Sequence, residues 1–249
     1  MPRLLLAFDF DYTMVDEDSD VFVFQHLAPD LLTKMRVLYN TGHYVWTDLM
    51  DLLLGDLSTK GVQEQALREA LRGIAFSPAM KEALELATLH GSEIVIISDA
   101  NTVYIDTITK AKGIDGYISE VITNTGHFDS NGRLRVQRWT TLPPHECNRC
   151  AANLCKGKEI LKLIQNRGPF DRVVYLGDGQ NDFCPSTKLN GSDLVLARTG
   201  RALEKMLKDP STKSLVQAKI VFWETAEDVL AIFKSLFQGD SQTLETISG

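Results

Sequence analysis

The chain has 249 residues, 44% of them hydrophobic, enough to bury a full core and to hold one large domain with an insertion. A formal net charge of -7 argues against a general nucleic-acid or anionic-membrane binder, but not against a small phosphorylated metabolite as partner. No apolar run approaches the ~18 residues of a membrane span, and the run in MPRLLLAFDFD is too short for a secretory core, so a cytoplasmic protein is expected.

The first apolar run, Leu4 to Phe8, reads as a buried strand that ends in Asp9, Asp11 and Thr13. In an extended chain residues two apart share a face, so the two carboxylates are expected on one side. A plainer reading is a helix cap or a solvated turn, which Asp and Thr both favour. An acidic turn follows to Asp20. From there to residue 75 the apolar clusters Val21/Phe24/Leu27, Leu49/Leu52/Leu53 and Leu67/Leu71 predict helices and no strand. Residues 16–76 are therefore expected to be an all-helical insertion, with 1–15 and 77–249 forming the core. Within the insertion, His43-Tyr44-Val45-Trp46 reads as buried core, with a pocket wall as the alternative.

Ser77-Pro78 has the chemistry of a helix start, and the helix should end near Gly91. Glu93 to Asp99 is a second buried strand with a polar end, Ser98-Asp99. A helix from Thr102 to Lys112 is closed by Gly113. His127 to Trp139 alternates about Asn131-Gly132, which predicts a two-residue hairpin turn in a small antiparallel flap. A cysteine-rich loop then leads to Lys156-Gly157-Lys158 at the start of another helix. Arg172 to Asp178 is a third buried strand ending in an acid, with Asp182 just beyond it. Weaker strands at Asp193–Ala197 and Lys219–Trp223 complete the sheet. A final helix starts at Thr225 with Asp228 completing a capping box, and the tail after Gly239 is expected to fray.

Three of the four cysteines lie in one loop, as Cys147, Cys150 and Cys155, beside His145. This is no secreted disulfide framework. Joined by His145, the three would close a tetrahedral zinc site; reduced thiols in a loop are the competing reading.

Three apolar strands thus end in Asp9/Asp11/Thr13, Ser98/Asp99 and Asp178/Asp182, with a lysine at a helix start between the last two. A doubly wound parallel sheet, Rossmann-like in architecture, would bring all of these to one crevice. Through DFDYT, the end of the ISDAN strand, CNRCAANLCKGK and GDGQNDFCP, in that order, the chain resembles the haloacid dehalogenase-like phosphohydrolases. The resemblance is closest to the group of phosphoethanolamine/phosphocholine and pyridoxal phosphate phosphatases, and more distant to phosphoserine phosphatases.

The resemblance implies a Mg²⁺-dependent phosphomonoesterase with a helical cap inserted after its first motif. Asp9 is then the nucleophile and Asp11 the general acid and base. Mg²⁺ is held by Asp9, the carbonyl of Asp11, and Asp178, with Asp182 behind them. Ser98 and Lys156 bind the phosphoryl oxygens, with Lys158 as the alternative lysine. Asp20 and Asp99 are associated with a cationic amine on the substrate, for which Tyr44 or Trp46 would offer an aromatic face. Each has a plainer reading: Asp20 caps the first helix of the insertion, and Ser98 or Asp99 caps the helix that follows them. Phosphoethanolamine and phosphocholine are the expected substrates and pyridoxal 5′-phosphate the alternative. A non-catalytic binding protein for a phosphometabolite is the rival of another class.

Overall fold

The computed structural model describes residues 2–140 and 145–238. Strand β1 (Leu4–Phe8) leads to four helices, α1 (Ser19–Leu27), α2 (Pro29–Asn40), α3 (Trp46–Thr59) and α4 (Glu64–Arg72). After α5 (Pro78–Leu89) come β2 (Glu93–Asn101), α6 (Thr102–Lys112), β3 (Glu120–Phe128) and β4 (Leu134–Gln137). Then follow α7 (Lys156–Arg167), β5 (Arg172–Gly177), the single turn α8 (Phe183–Ser186) and β6 (Leu194–Arg198). The chain closes with α9 (Ala202–Lys208), α10 (Pro210–Lys213), β7 (Lys219–Trp223) and α11 (Ala226–Gln238). The tail after Gly239 lies outside the described residues.

The alternation in β1 decides the layering. Leu4, Leu6 and Phe8 enter one apolar cluster, and Leu5 and Ala7 enter another, as the two-residue period of a strand requires. A strand buried on both faces belongs inside a parallel sheet. β1 accordingly pairs in parallel with β2 on one side and β5 on the other. Among the described residues the sheet has seven strands in the order β4-β3-β2-β1-β5-β6-β7, only β4 running antiparallel. Helices α5, α6 and α11 cover the first face, and α7 and α9 the second. From β1 the chain moves outward through β2 and β3, then returns to β5 and moves outward the other way. The strand ends beside that reversal, those of β1 and β5, border the crevice where such sheets bind ligands.

Between β1 and α5 the chain forms a segment of four helices, α1–α4, with no strand among them. It is not a separate globule. Val23, Phe24, Leu49 and Leu53 belong to the same apolar cluster as β1 and α11. A polar latch adds to this contact: Asp51 on α3 accepts from Arg133 Nη2 (3.1 Å), Arg135 Nε (3.0 Å) and the Val136 amide (2.9 Å). Arg138 pairs with Asp48 one turn earlier.

The hairpin differs from expectation in two ways. It is no separate flap, because β3 is itself a strand of the main sheet, parallel to β2, before it meets β4. Nor is its turn a two-residue Asn-Gly one. Asp129 accepts from the Gly132 amide and donates to the Arg133 carbonyl, each at 2.9 Å, and only Gly132 has positive φ (77°). That is a type I turn followed by a left-handed residue, which lengthens the loop by one. The Asp129 carboxylate selects it by accepting from the Asn131 amide at 2.9 Å.

Removing the latch should be measurable. Asp51→Ala removes the carboxylate that accepts from Arg133, Arg135 and the Val136 amide, leaving Arg133 only the residue-51 carbonyl, and should cost about 1 kcal/mol in denaturant unfolding. A variant as stable as the parent would show that the latch contributes nothing.

Candidate active site

Beyond Phe8 the chain makes one wide turn, Phe10–Met14, closed by the Val15 amide on the Phe10 carbonyl at 3.0 Å. Tyr12 takes the left-handed conformation there (φ 54°), which costs a non-glycine residue about 1–2 kcal/mol. Its surroundings hold it in place. The Arg201 guanidinium lies 3.6 Å from its ring centroid, and Arg198 Nη1 donates to its carbonyl at 2.7 Å. The turn leaves Asp9 at the strand end and re-aims Asp11, so both line one cavity of about 450 Å³.

The other strand ends reach the same cavity. Ser98 and Asp99 come from β2, and Asp178 follows β5. Lys156, the first residue of α7, sends a fully buried ammonium to Asp9 Oδ1 and Asp182 Oδ1, each at 2.8 Å. Lys158, the alternative lysine, is exposed and lines a different cavity. Asp182 also accepts from Tyr175 OH at 2.7 Å and from the amides of Asp178 (3.0 Å) and Gly179 (2.8 Å). Gly177 is required here, since a Cβ would stand 2.5 Å from the Asp182 carboxyl carbon. Thr13 braces the turn by donating to Asp178 Oδ1 at 3.4 Å.

Electrostatics match this crowding. Burial, then Asp182 and Asp178, push Asp9 well above the ordinary carboxylate range, against the pull of Lys156. Burial and Asp182 raise Asp178 to about 6. Burial, Asp18 and Asp20 raise Asp11. Burial alone would lower the Lys156 ammonium, but Asp182, Asp9 and Asp99 more than reverse this. Oxygens of Asp9, Asp178 and Asp182 lie within 4.8 Å of one another. Three buried acids facing one ammonium, all offering oxygen, fit a hard divalent cation such as Mg²⁺.

The capping readings fail for Asp20 and Asp99. Asp18 caps α1, accepting from the Val21 amide at 2.9 Å, and Asn101 caps α6 through the amides of Val103 and Tyr104. Asp20 instead is buried at the cavity wall and accepts from Trp46 Nε1 at 2.7 Å. Burial and then Asp18 raise it to about 8. Asp99 accepts from Asn153 Nδ2 (2.6 Å) and Asn181 Nδ2 (2.5 Å). Ser98 caps nothing beyond its own turn, accepting from the Ala100 amide at 3.1 Å.

The aromatic cluster at residues 43–46 is split, with Trp46 alone of its aromatic residues packed against the apolar core. His43 and Tyr44 are exposed, whereas Trp46 lines the cavity and meets Tyr39 edge-on at 5.3 Å between ring centroids. Tyr39, Asp18, Asn153 and Asn181 are wall residues that the sequence reading missed. Asn153 and Asn181 carried a signal, their places inside CNRCAANLCKGK and GDGQND. His145 does not complete a metal site with the loop cysteines. Its Nε2 bonds the Ala151 carbonyl at 2.7 Å, and the fourth sulfur beside Cys147, Cys150 and Cys155 is that of Cys184.

The parallel sheet whose strand ends gather acids around one lysine has the fold of solved haloacid dehalogenase-like phosphatases, and this chain is a phosphatase. It belongs to the family described as Putative Phosphatase, whose model matches residues 4–237. A pyridoxal phosphate phosphatase of Homo sapiens is 34% identical over 245 residues, covering 95% of this chain and 99% of that protein. A phosphoethanolamine/phosphocholine phosphatase of Homo sapiens is 33% identical over 237 residues, covering 92% and 87%. Among solved structures, a substrate-bound phosphoserine phosphatase superposes with a TM-score of 0.62 at 15% identity, over 96% of this chain and 99% of that one. Among the described residues no helix is long and apolar enough to cross a membrane.

The titration of Asp20 gives a stability test. Its folded value of about 8 lies above the 3.8 of an unperturbed aspartate, so the folded chain holds the extra proton. The associated stability is complete below about pH 4 and is lost as pH rises through about 8. The Tm of Asp20→Asn minus that of the parent should therefore grow from near zero at low pH to several degrees above pH 8. A difference that stays flat across this window would show that Asp20 is ionised throughout.

Proposed function

We propose that this phosphatase is a Mg²⁺-dependent phosphomonoesterase that hydrolyses small amine-bearing phosphomonoesters, phosphoethanolamine and phosphocholine foremost, through an aspartyl-phosphate on Asp9. The observation that carries the substrate reading is Asp20, a buried carboxylate that caps no helix and faces the same cavity as Asp9. With Asp18 and Asp99 it lines the cavity with carboxyls beyond those a phosphate site needs. Burial keeps Asp20 protonated in the free cavity, and a cationic amine placed beside it would favour its charged form and pair with it.

In this reading Ser98 and Lys156 hold the phosphoryl oxygens. Lys156 has three N–H donors and gives two to Asp9 and Asp182, which leaves one for the substrate. A carboxylate oxygen of Asp9 attacks phosphorus as the bond to the leaving oxygen breaks. Asp11, kept protonated by burial and by Asp18 and Asp20, gives that oxygen its proton and the alcohol departs. The Asp11 carboxylate then takes a proton from water, which attacks the same phosphorus, releases inorganic phosphate and restores Asp9. Asp9, Asp178 and the Asp11 carbonyl would hold Mg²⁺, which would supply the charge neutralisation that lets two anions approach. Asp182, whose oxygens already accept from Lys156, Tyr175 and two amides, fixes these ligands from behind. The four-helix segment acts as a cap that shields the reaction from bulk water.

Pyridoxal 5′-phosphate is the second reading. Tyr39 and Trp46 give the cavity an aromatic wall for a flat ring.

Phosphate release with Mg²⁺ from phosphoethanolamine, phosphocholine, pyridoxal 5′-phosphate and phosphoserine separates the readings. Asp9→Asn should lower kcat by about 1,000-fold or more on whichever substrate is used, and near-parental activity would refute the mechanism. Asp20→Asn should raise KM for the amine phosphates about tenfold or more while sparing a neutral aryl phosphate. Equal effects on both would remove Asp20 from substrate recognition. A preference for pyridoxal 5′-phosphate would keep the chemistry and replace the substrate.

A further inference from the structure

All four cysteines of the chain lie in one cluster outside the acidic cavity. The sulfurs of Cys147, Cys150, Cys155 and Cys184 are within 4.8 Å of one another. Cys147 and Cys155 stand 3.7 and 3.9 Å from Cys184, sulfur to sulfur. A disulfide would bring a pair to about 2.05 Å. Four thiolates about 2.3 Å from a tetrahedral zinc ion are about 3.8 Å apart along each edge. The two separations match that edge.

The surroundings are shaped for this cluster. Cys155 immediately precedes α7, and Cys184 sits in α8, so two separate segments converge on the loop that carries Cys147 and Cys150. Where they cross, α7 has Gly157, at which a Cβ would lie 2.6 Å from Cys184 Sγ. Glycine is a weak helix former, and here it admits the sulfur. The N-terminal end of α7 favours thiolates over thiols. A cavity of about 900 Å³ beside the cluster is lined by Arg149, Lys158, Lys162 and Lys188, which oppose the negative charge of a zinc tetrathiolate.

We propose that Cys147, Cys150, Cys155 and Cys184 form a structural zinc site that staples the loop of residues 145–155 to α7 and α8. Four protein ligands close the coordination sphere, so the ion holds structure and activates no water. The staple fixes the acidic cavity indirectly. Lys156 is the residue after Cys155, Asp182 lies two residues before Cys184, and Arg149 and Asn153 of the stapled loop stand in the cavity wall. The ion thereby holds the lysine, the acid it pairs with and one wall in register.

Metal analysis of the whole protein tests this without reference to turnover, so failure here leaves the phosphatase reading untouched. Protein purified without a metal-binding tag and dialysed against EDTA should retain about one zinc per chain. An organomercurial should release it, read by a metallochromic indicator. Cys184→Ser should drop zinc from about one per chain to near zero. Protein produced with cobalt should show an intense thiolate-to-cobalt charge-transfer band and the visible bands of a tetrahedral site. That spectrum and the zinc count decide the matter on the parent protein if the variant does not fold. Parent protein supplied with zinc that holds none, or whose intact mass shows disulfides, would overturn the proposal. Full zinc occupancy in a folded Cys184→Ser would overturn the tetrathiolate assignment.

Discussion

Lys156 is the buried positive charge against which the acids at the strand ends are arranged. Its ammonium touches Asp9 and Asp182 at 2.8 Å each, at a place where an unpaired lysine would be costly. One ammonium does not balance Asp9, Asp178 and Asp182 within 4.8 Å of one another. Either protons or a divalent cation make up the remainder, and both fit the raised affinity of Asp9 and Asp178 for positive charge. Asp182 stays the fixed member of the trio, because its oxygens are already engaged by Lys156, Tyr175 and two backbone amides. The turn after β5 closes around that carboxylate and leaves no room for a side chain at residue 177. The lysine therefore sets where β1 and β5 end and where α7 begins.

The backbone at Tyr12 solves a second problem. A strand continued past Asp9 would carry the chain out of the sheet with Asp11 beside Asp9. The wide turn instead swings Asp11 toward α1, where its carboxylate accepts from the Ser19 amide at 2.9 Å. The left-handed residue that makes this possible is clamped by Arg198 and Arg201, from β6 and the turn after it. The cation over the Tyr12 ring and the bond to its carbonyl offset the conformational cost. The two acids thereby acquire different surroundings, Asp9 against a lysine and two acids, Asp11 against acids alone. In the mechanism proposed above, such divergence would separate the nucleophile from the proton donor.

Much of this was legible in the sequence because it rests on local patterns. Apolar runs ending in acids located β1, β2 and β5, and Ser77-Pro78 and Gly113 marked helix ends that the structure places at α5 and α6. What was not legible depends on contacts between distant segments. Asp18 rather than Asp20 caps α1, and Asn101 rather than Ser98 or Asp99 caps α6. One-dimensional spacing does not distinguish among neighbours with equal capping chemistry. Trp46 reads as core by composition, yet it stands at the cavity because α3 is latched to β4 by arginines some 80 residues away. Cys184 is 29 residues from Cys155, and only the crossing of α7 and α8 brings it to the other sulfurs.

The origins of the cavity walls separate the chemistry from the choice of substrate. Asp9, Ser98 and Asp178 come from strand ends or the residue just beyond them, and Lys156 from a helix buried against the sheet. These positions tolerate little movement, because every one of them is buried. Asp20, Tyr39 and Trp46 come from three different helices of the inserted segment, and Arg149 and Asn153 from the cysteine loop. In the reading proposed above, a substitution in that second set would change what the cavity accepts while the sheet keeps its own contacts. The division also explains why a loop without regular structure would need a staple. Asn153 reaches from that loop to Asp99 at 2.6 Å, and a wall residue selects between substrates only if its backbone holds still.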